Sequence, residues 1–296
     1  MFRLMIIILV VFTISACGSK VPVFDQENAF EILQQQCDLG PRYPGSAEIE
    51  LCRDLIINKL SSTSALVEEQ PFETTQLDSV MQGVNIIARF YPRLSRRILL
   101  AAHYDTRPWA DKEEDPSLHK QPISGANDAA SGVAVLLELG RIFDQYPPQQ
   151  FGIDLVFFDL EDMGRYNNNE TWCLGSTYFA ENYKDEFPEK AIVVDMIGDA
   201  DLVIDMEYLS YHNSPLLVKE VWETAQDLGF SEFQTRITKR IYDDHVPLLK
   251  AGFKAIVIID FEYPYWHTLE DTPDKCSPSS LYVVGQTLLE LIYQEK

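Results

Sequence analysis

The strongest constraint on the fold is the segment 153–164, IDLVFFDLEDMG, in which an apolar run ends abruptly in acidic residues. Five of its first six residues are apolar, which predicts a strand covered on both faces, as in the middle of an α/β sheet. Ligands in such sheets bind beyond the carboxyl ends of the strands. A divalent cation would relieve the repulsion between Asp159, Glu161 and Asp162 there. A solvated acidic loop after a core strand is the alternative interpretation.

The rest of the chain predicts further strands and helices around this segment. Helices are expected over 25–37 and 46–60, and strands over 65–72, 84–91 and 96–102. The short connection between the second and third strands indicates a hairpin, and so an antiparallel edge. Later strands alternate with helices. We therefore expect a single α/β domain with a mixed, mainly parallel central sheet flanked by helices.

A histidine and an aspartate follow the third of these strands. His103 and Asp105 are two residues apart, so in an extended segment both side chains lie on one face. This spacing suits an imidazole that binds a metal and a carboxylate that orients the imidazole. Taken alone, the pair is more typical of a surface histidine or a hydrogen-bonded core histidine.

Asp128 lies among small residues, GANDAASG, just before an apolar helix. An aspartate at that position is suited to cap the helix N-terminus. It is equally suited to bind a metal, because small neighbours let the backbone and an ion approach closely. The spacing of residues alone does not separate the two roles.

Six side chains of metal-binding type fall where a predicted strand ends, where a buried helix begins, or in a loop that follows a strand. They are His103, Asp128, Glu161, Asp162, Asp195 and His267. A mixture of carboxylates and imidazoles without thiolates suits catalytic zinc, which keeps an open position for water or substrate. It also suits a pair of metals bridged by one carboxylate.

The segments HYDT, GANDAASG and DLED, with the strand ending in Asp195 and the late histidine, resemble the zinc aminopeptidase superfamily. Within that superfamily, DDHVP at 243–247 and WHT at 266–268 are similar to segments of the glutaminyl-peptide cyclotransferases. The resemblance covers nearly the whole mature chain and implies the phosphorylase/hydrolase-like α/β fold. Two departures from the animal cyclases, an acid pair Glu-Asp and a strand KAIVIID without histidine, point to a bacterial branch.

The resemblance also implies a metal site. One zinc would be held by Asp128, Asp162 and His267, with Glu161 in the acid/base position. An aminopeptidase would use His103 and Asp195 for a second zinc, with Asp128 bridging the two metals and Asp105 behind the histidine. Cyclases resemble this arrangement but bind one zinc.

The implied activity is the cyclisation of an N-terminal glutamine of peptides or proteins to pyroglutamate, with release of ammonia. Asp195 and Asp243 would join a proton network, and Trp266 would form a wall of the substrate pocket. Of the neighbouring acids Asp243 and Asp244, Asp244 is the less favoured candidate for a role in the reaction. A two-zinc aminopeptidase is the main alternative because it shares every ligand. A non-catalytic binding protein on the same fold is the remote one, because fold alone does not decide function.

The N-terminus predicts export. Arg3 precedes an eleven-residue apolar stretch, 4–14, which is too short to span a bilayer and is followed by small residues. The sequence ISAC resembles a bacterial lipobox, in which Cys17 is lipidated. We expect a signal peptide over 1–16, a lipid-anchored segment over 17–24 and the catalytic domain over 25–296. The protein would then be a membrane-anchored lipoprotein facing the periplasm.

Charge and cysteine content narrow the partners. The net charge of −22 disfavours nucleic acid, because phosphate binding needs a basic face. The membrane is expected to be a partner only through the lipid. In an oxidising compartment, one or two disulfides are possible among the remaining cysteines, Cys37, Cys52, Cys173 and Cys276.

Overall fold

The computed structural model describes residues 21–75 and 79–294. The predicted signal peptide and Cys17 therefore lie outside the described residues. Among the residues within these ranges, no helix is both long and apolar enough to cross a membrane. Packing of the domain begins before residue 25, because the Phe24 side chain is buried and its N–H donates to Gln286 Oε1 at 2.9 Å.

Strands and helices alternate through most of the described chain. The strands are β1 Leu66–Thr74, β2 Met81–Phe90, β3 Arg97–His103, β4 Gly152–Phe158, β5 Lys190–Asp195, β6 Ile204–Met206, β7 Phe233–Ile237 and β8 Ala255–Ile259. The helices are α1 Gln26–Leu39, α2 Ala47–Ser61, α3 Gly132–Gln145, α4 Leu174–Glu181, α5 Tyr208–Asn213, α6 Pro215–Asp227, α7 His245–Ala251 and α8 Pro278–Tyr293. Helix starts follow from local chemistry: Asp25 and Ser46 cap α1 and α2 with their side chains.

The main sheet has the strand order β1-β2-β4-β3-β5-β8. The pairs β3–β4, β3–β5 and β5–β8 are parallel, whereas β1–β2 and β2–β4 are antiparallel. This arrangement confirms the expected mixed, mainly parallel sheet with an antiparallel edge. Strands β6 and β7 form a separate parallel pair.

The expected hairpin between the second and third strands is wrong, because β4 lies between β2 and β3. Every residue of β4 is buried, whereas edge strand β1 is largely exposed. A mainly apolar strand gains most from an interior position with neighbours on both sides. The Arg97 guanidinium fixes this arrangement by binding Asp154 of β4, with Nη2 and Oδ1 2.6 Å apart.

The four described cysteines after residue 20 are unpaired, so the disulfides that an oxidising compartment would allow are not formed. Cys52 is buried in the core beside Gln36, and Cys173 donates to Glu161. Each of these thiols therefore lies in its own buried environment.

Candidate metal centre

The carboxyl ends of the parallel strands bring two groups of metal-binding side chains together. One group is Asp128, Asp162 and His267, and the other is His103, Asp128 and Asp195. Within each group the potential ligand atoms lie within 4.8 Å of one another. Asp128 belongs to both, as a carboxylate placed between two metal positions would.

The first group has the chemistry of a zinc site. His267 Nε2 lies 3.1 Å from Asp162 Oδ1 and 3.6 Å from Asp128 Oδ2. Asp162 Oδ2 is buried and has no hydrogen-bond partner among the described residues, which fits an oxygen that binds a cation. The Asp128 side chain caps no helix, because its oxygens face the two histidines instead. Two carboxylates and one imidazole form a three-ligand set suited to catalytic zinc.

His267 is oriented through its other ring nitrogen. Its Nδ1 lies 3.3 Å from Asp111 Oδ1 and 3.2 Å from the Tyr166 hydroxyl. Arg107 in turn binds Asp111, with Nη2 and Oδ2 2.6 Å apart. A carboxylate behind a histidine fixes the ring and directs Nε2 towards a metal. Asp111 and Arg107 were not expected at the site, because they lie in an irregular polar loop without a recognisable spacing.

The acidic pair is fixed through its backbone. The Asp105 carboxylate accepts from the N–H groups of Glu161 and Asp162 at 3.0 and 3.1 Å. Asp105 was expected to orient His103 through this carboxylate, but it is the Asp105 backbone carbonyl that lies nearer to His103 Nδ1, at 3.1 Å. Glu161 and Asp162 lie in a bend and a turn after β4 and not in an extended segment. The conformation of this turn therefore sets the directions of their carboxylates.

Asp128 is held by a buried carboxylate from the far end of the chain. Asp271 accepts from the N–H groups of Asn127 and Asp128 at 2.8 and 3.2 Å, and from the Tyr263 hydroxyl at 2.9 Å. Burial, followed by the charge of Asp128, raises the pKa of Asp271 to about 7. Asp271 was also missed, because its partner lies 143 residues away in sequence.

The second group surrounds His103. His103 Nε2 lies 3.1 Å from Asp128 Oδ1 and 3.1 Å from Asp195 Oδ1. Burial opposes the charged imidazole, but hydrogen bonds to Asp105, Asp128 and Asp195 outweigh burial and raise the pKa of His103 well above its ordinary value. Both side chains of the expected second-metal set, His103 and Asp195, are therefore in place.

Glu161 faces the same cavity as the first group. Burial raises the pKa of its carboxyl well above the ordinary value; the charge of His103 opposes this effect and that of Asp162 adds to it. The Cys173 thiol donates to Glu161 Oε1 at 3.1 Å, and the Cys173 N–H donates to the Glu161 carbonyl at 3.0 Å. The first contact holds the carboxylate of Glu161, and the second holds its backbone.

The two acids before α7 have different surroundings. Asp243 lines the cavity, and burial together with the charge of Asp195 raises its pKa to about 7. Asp244 is fully buried and is not among the residues that line the cavity. Asp195 and Asp243 were expected to join a proton network by bonding either each other or the substrate amine. Among the described residues they do not bond each other: Asp195 faces His103, and Asp243 accepts from the Asp244 N–H.

A buried glutamate, Glu207, holds the segment that carries Asp243. Its carboxylate accepts from the Ile241 N–H at 3.1 Å and lies 3.1 Å from His245 Nε2. It also caps α5 by accepting from the N–H groups of Leu209 and Ser210. Glu207 was not singled out from the sequence, where it is one acid among many.

Aromatic side chains wall the cavity above the acids: Trp172, Tyr242, Phe261 and Trp266. Trp266 was expected there, and its ring centroid lies 4.0 Å from that of His267. Trp172 was not expected, although its ring is parallel to the His267 imidazole at 6.1 Å. The cavity thus combines buried acids, a candidate metal position and flat apolar walls, as small-molecule sites commonly do.

Comparison with known proteins identifies close relatives of this architecture. The chain is 38% identical to a Bacteroides thetaiotaomicron glutaminyl cyclase bound to N-acetylhistamine, covering 94% of this chain and 100% of that one with a TM-score of 0.90. A structure described as a leucine aminopeptidase precursor from Bacteroides thetaiotaomicron matches at 37% identity, 94% and 99% coverage, and a TM-score of 0.90. A glutaminyl-peptide cyclotransferase of the snake Boiga dendrophila is 26% identical over 93% of this chain and 84% of its own length. The sequence model of peptidase family M28 matches residues 85–292, and the chain therefore belongs to that family.

Proposed function

We propose that this protein is a zinc-dependent glutaminyl-peptide cyclotransferase, which converts the N-terminal glutamine of peptides or proteins to pyroglutamate and releases ammonia. The observation that carries the proposal is its likeness to a bacterial glutaminyl cyclase over almost the full length of both chains. The buried acids, the three-ligand group and the aromatic walls support the same conclusion.

Asp128, Asp162 and His267 would hold the zinc, with one ion per chain. When bound, the zinc supplies Lewis-acid polarisation of the side-chain amide carbonyl of the substrate. Arg107 donates to the Asp162 carbonyl at 2.9 Å, and Asp111 orients His267. The protein therefore fixes the directions of its ligands before the substrate arrives.

Glu161 is assigned the proton transfer. The substrate α-amine forms a bond to the side-chain carbonyl carbon, and Glu161 takes the proton that the amine nitrogen loses. Glu161 then delivers this proton to the amide nitrogen as its bond to carbon breaks, and ammonia leaves. The contact between Cys173 Sγ and Glu161 Oε1 keeps the carboxylate directed into the cavity.

Three further side chains would position the substrate. Asp195 and Asp243 both line the cavity, where their carboxylates can accept hydrogen bonds from the α-amine. We assign this role to Asp243 rather than Asp244, because Asp244 is enclosed beneath the cavity wall. Trp266 would pack against the apolar part of the glutamine side chain.

A two-zinc aminopeptidase remains the second candidate because of one observation: the group His103, Asp128 and Asp195 is also intact. Kinetics and metal content separate the two activities. A cyclase should release ammonia from glutaminyl peptides faster than leucine from leucyl peptides, with about one zinc per chain. Two tightly bound zinc ions with dominant leucine release would assign the protein to the aminopeptidases.

We also propose that the enzyme is an exported lipoprotein, acylated at Cys17 and facing the periplasm. The support is the sequence ISAC after an apolar stretch with a basic start. One lipidated terminus would tether a domain to the membrane without spanning it.

A further inference from the structure

A second, larger cavity adjoins the candidate active site. This groove has a volume of about 580 Å³ and lies between α4 and α7. Trp172 and Tyr242 line both the groove and the cavity above the acids, so the two spaces meet at these aromatic side chains. The cavity above the acids is far smaller, at about 40 Å³.

We propose that the groove binds the residues that follow the N-terminal glutamine of a peptide substrate, an inference that rests on the proposed function. Cyclisation requires the α-amine and the side-chain amide of the glutamine to lie together beside Glu161. The rest of the peptide is bonded to the backbone carbonyl carbon of the glutamine, so it must extend away from the reaction site in that direction. The small cavity has no room for further residues, and the groove begins at its wall.

The lining of the groove indicates which side chains it would accept. Its lining mixes polar and apolar residues, and the buried apolar ones, Leu174 and Ala180 of α4 and Pro247 of α7, form its floor. Residues of an extended peptide are spaced about 3.3 Å apart and alternate in direction, so one of the second and third side chains would face this floor. The groove therefore favours an apolar side chain at one of these positions.

The charges around the groove are of both signs and are exposed. Glu170 and Glu181 carry negative charge at its rim, and Lys250 carries positive charge. Lys250 Nζ lies 3.1 Å from the Tyr242 hydroxyl and 4.9 Å from its ring centroid, which steadies the shared wall. Exposed charges of both signs select weakly. Selection by the apolar floor should therefore outweigh selection by charge.

Two other cavities among the described residues lack this connection. A cavity beside α6 is lined by Pro215 and Leu216, and another is lined by Val21 and Arg141. Neither shares a lining residue with the acidic site. The groove is therefore chosen as the candidate peptide site because it shares a wall with the cavity above the acids, and not because of its volume.

Substrates of increasing length test the inference. Values of kcat/KM would be measured for glutaminyl amide, Gln-Gly-Gly-amide and Gln-Leu-Phe-amide. The wild-type enzyme should prefer Gln-Leu-Phe-amide over glutaminyl amide by about tenfold or more, as one or two added apolar contacts commonly give. Gln-Gly-Gly-amide should gain much less, because it offers no side chain to the floor.

Filling the groove should remove the preference. Thr177 of α4 lines the groove and is half-buried, so Thr177→Trp places an indole there. This variant should bring the ratio for Gln-Leu-Phe-amide over glutaminyl amide close to one. Ala251→Phe narrows the groove from α7 and serves if Thr177→Trp fails to fold. Gln226→Trp, at an exposed position of α6, is the matched control and should keep the wild-type ratio.

The outcomes separate the two proposals. Turnover of all three substrates with equal kcat/KM, unchanged in Thr177→Trp and Ala251→Phe, would overturn the proposal that the groove binds substrate. The proposed cyclase activity would still stand. Failure of every glutaminyl substrate would overturn the proposed function and this inference with it. A preference that disappears in the groove variants and persists in Gln226→Trp would establish the groove as a substrate site.

Discussion

Replacing Glu207 should destabilise the protein and release the segment that carries Asp243. The Glu207 side chain is fully buried, and its carboxylate contacts His245 and three backbone N–H groups. Glu207→Ala leaves these donors unpaired in the interior. Leaving a buried hydrogen-bond donor without its acceptor typically costs about 1–3 kcal/mol, and loss of a helix N-cap costs about 1 kcal/mol. Urea unfolding followed by circular dichroism would measure the loss.

The pH dependence provides the sharper test. Burial pushes the pKa of Glu207 upward, but the hydrogen bonds from His245 and the backbone outweigh burial and bring it from 4.5 to about 2. A depression of this size is equivalent to about 3 kcal/mol of stability. Because the folded-state pKa is the lower one, this stability is fully present above the unfolded pKa of 4.5 and is lost as the pH falls through about 2.

Wild type and Glu207→Gln should therefore converge on acidification. The gap between their unfolding free energies should narrow by about 2 kcal/mol between about pH 7 and pH 3, since the amide does not titrate. The control is Glu223→Gln, at a side chain that is 60% exposed and pairs with Lys219, and it should change stability by about 0.5 kcal/mol or less. A difference in unfolding free energy between wild type and Glu207→Gln that does not change with pH would contradict the assigned role of Glu207. A loss of unfolding free energy below about 1 kcal/mol for Glu207→Ala would contradict it as well.

Four further variants have expected outcomes, three at the site and one at the N-terminus. Glu161→Gln should keep zinc and lose about a hundred- to ten-thousand-fold in kcat, whereas Asp162→Ala should lose zinc itself; a near-normal rate in the first or full occupancy in the second, by metal analysis and kinetics, would contradict the assigned roles. Asp111→Ala should weaken zinc binding by about 10- to 100-fold, because it removes the carboxylate behind His267; an unchanged zinc affinity, measured by competition with a chelator, would contradict this role. Cys17→Ser should move the protein out of the membrane fraction, and a wild-type protein found unlipidated by mass spectrometry would disprove the anchor.

The strands of the main sheet and the gathering of acids and histidines at its edge could be predicted because they depend on local patterns, whereas β6 and β7 were not expected. The apolar run of β4 indicated a buried strand, and acids and histidines at strand ends indicated a site. Strand order could not be predicted in the same way. The insertion of β4 between β2 and β3 depends on burial across the whole sheet, whereas the short connection before β3 suggested only local pairing.

The residues that support the site were beyond prediction for a related reason. Asp111, Asp271 and Glu207 act through partners far away in sequence and lie in loops without periodicity. Asp105 was found, but its carboxylate binds the backbone of the acidic pair and not the imidazole. Spacing along a strand shows which side chains share a face, but the folded chain decides which of them touch.

The products formed from one peptide with N-terminal glutamine distinguish a cyclase from an aminopeptidase. Both enzymes act at this terminus, yet they break different bonds. We expect a pyroglutamyl peptide of unchanged residue count together with one equivalent of ammonia, detected by mass spectrometry and an ammonia assay, and abolished in Glu161→Gln. Free glutamine and a peptide shortened by one residue would contradict this expectation.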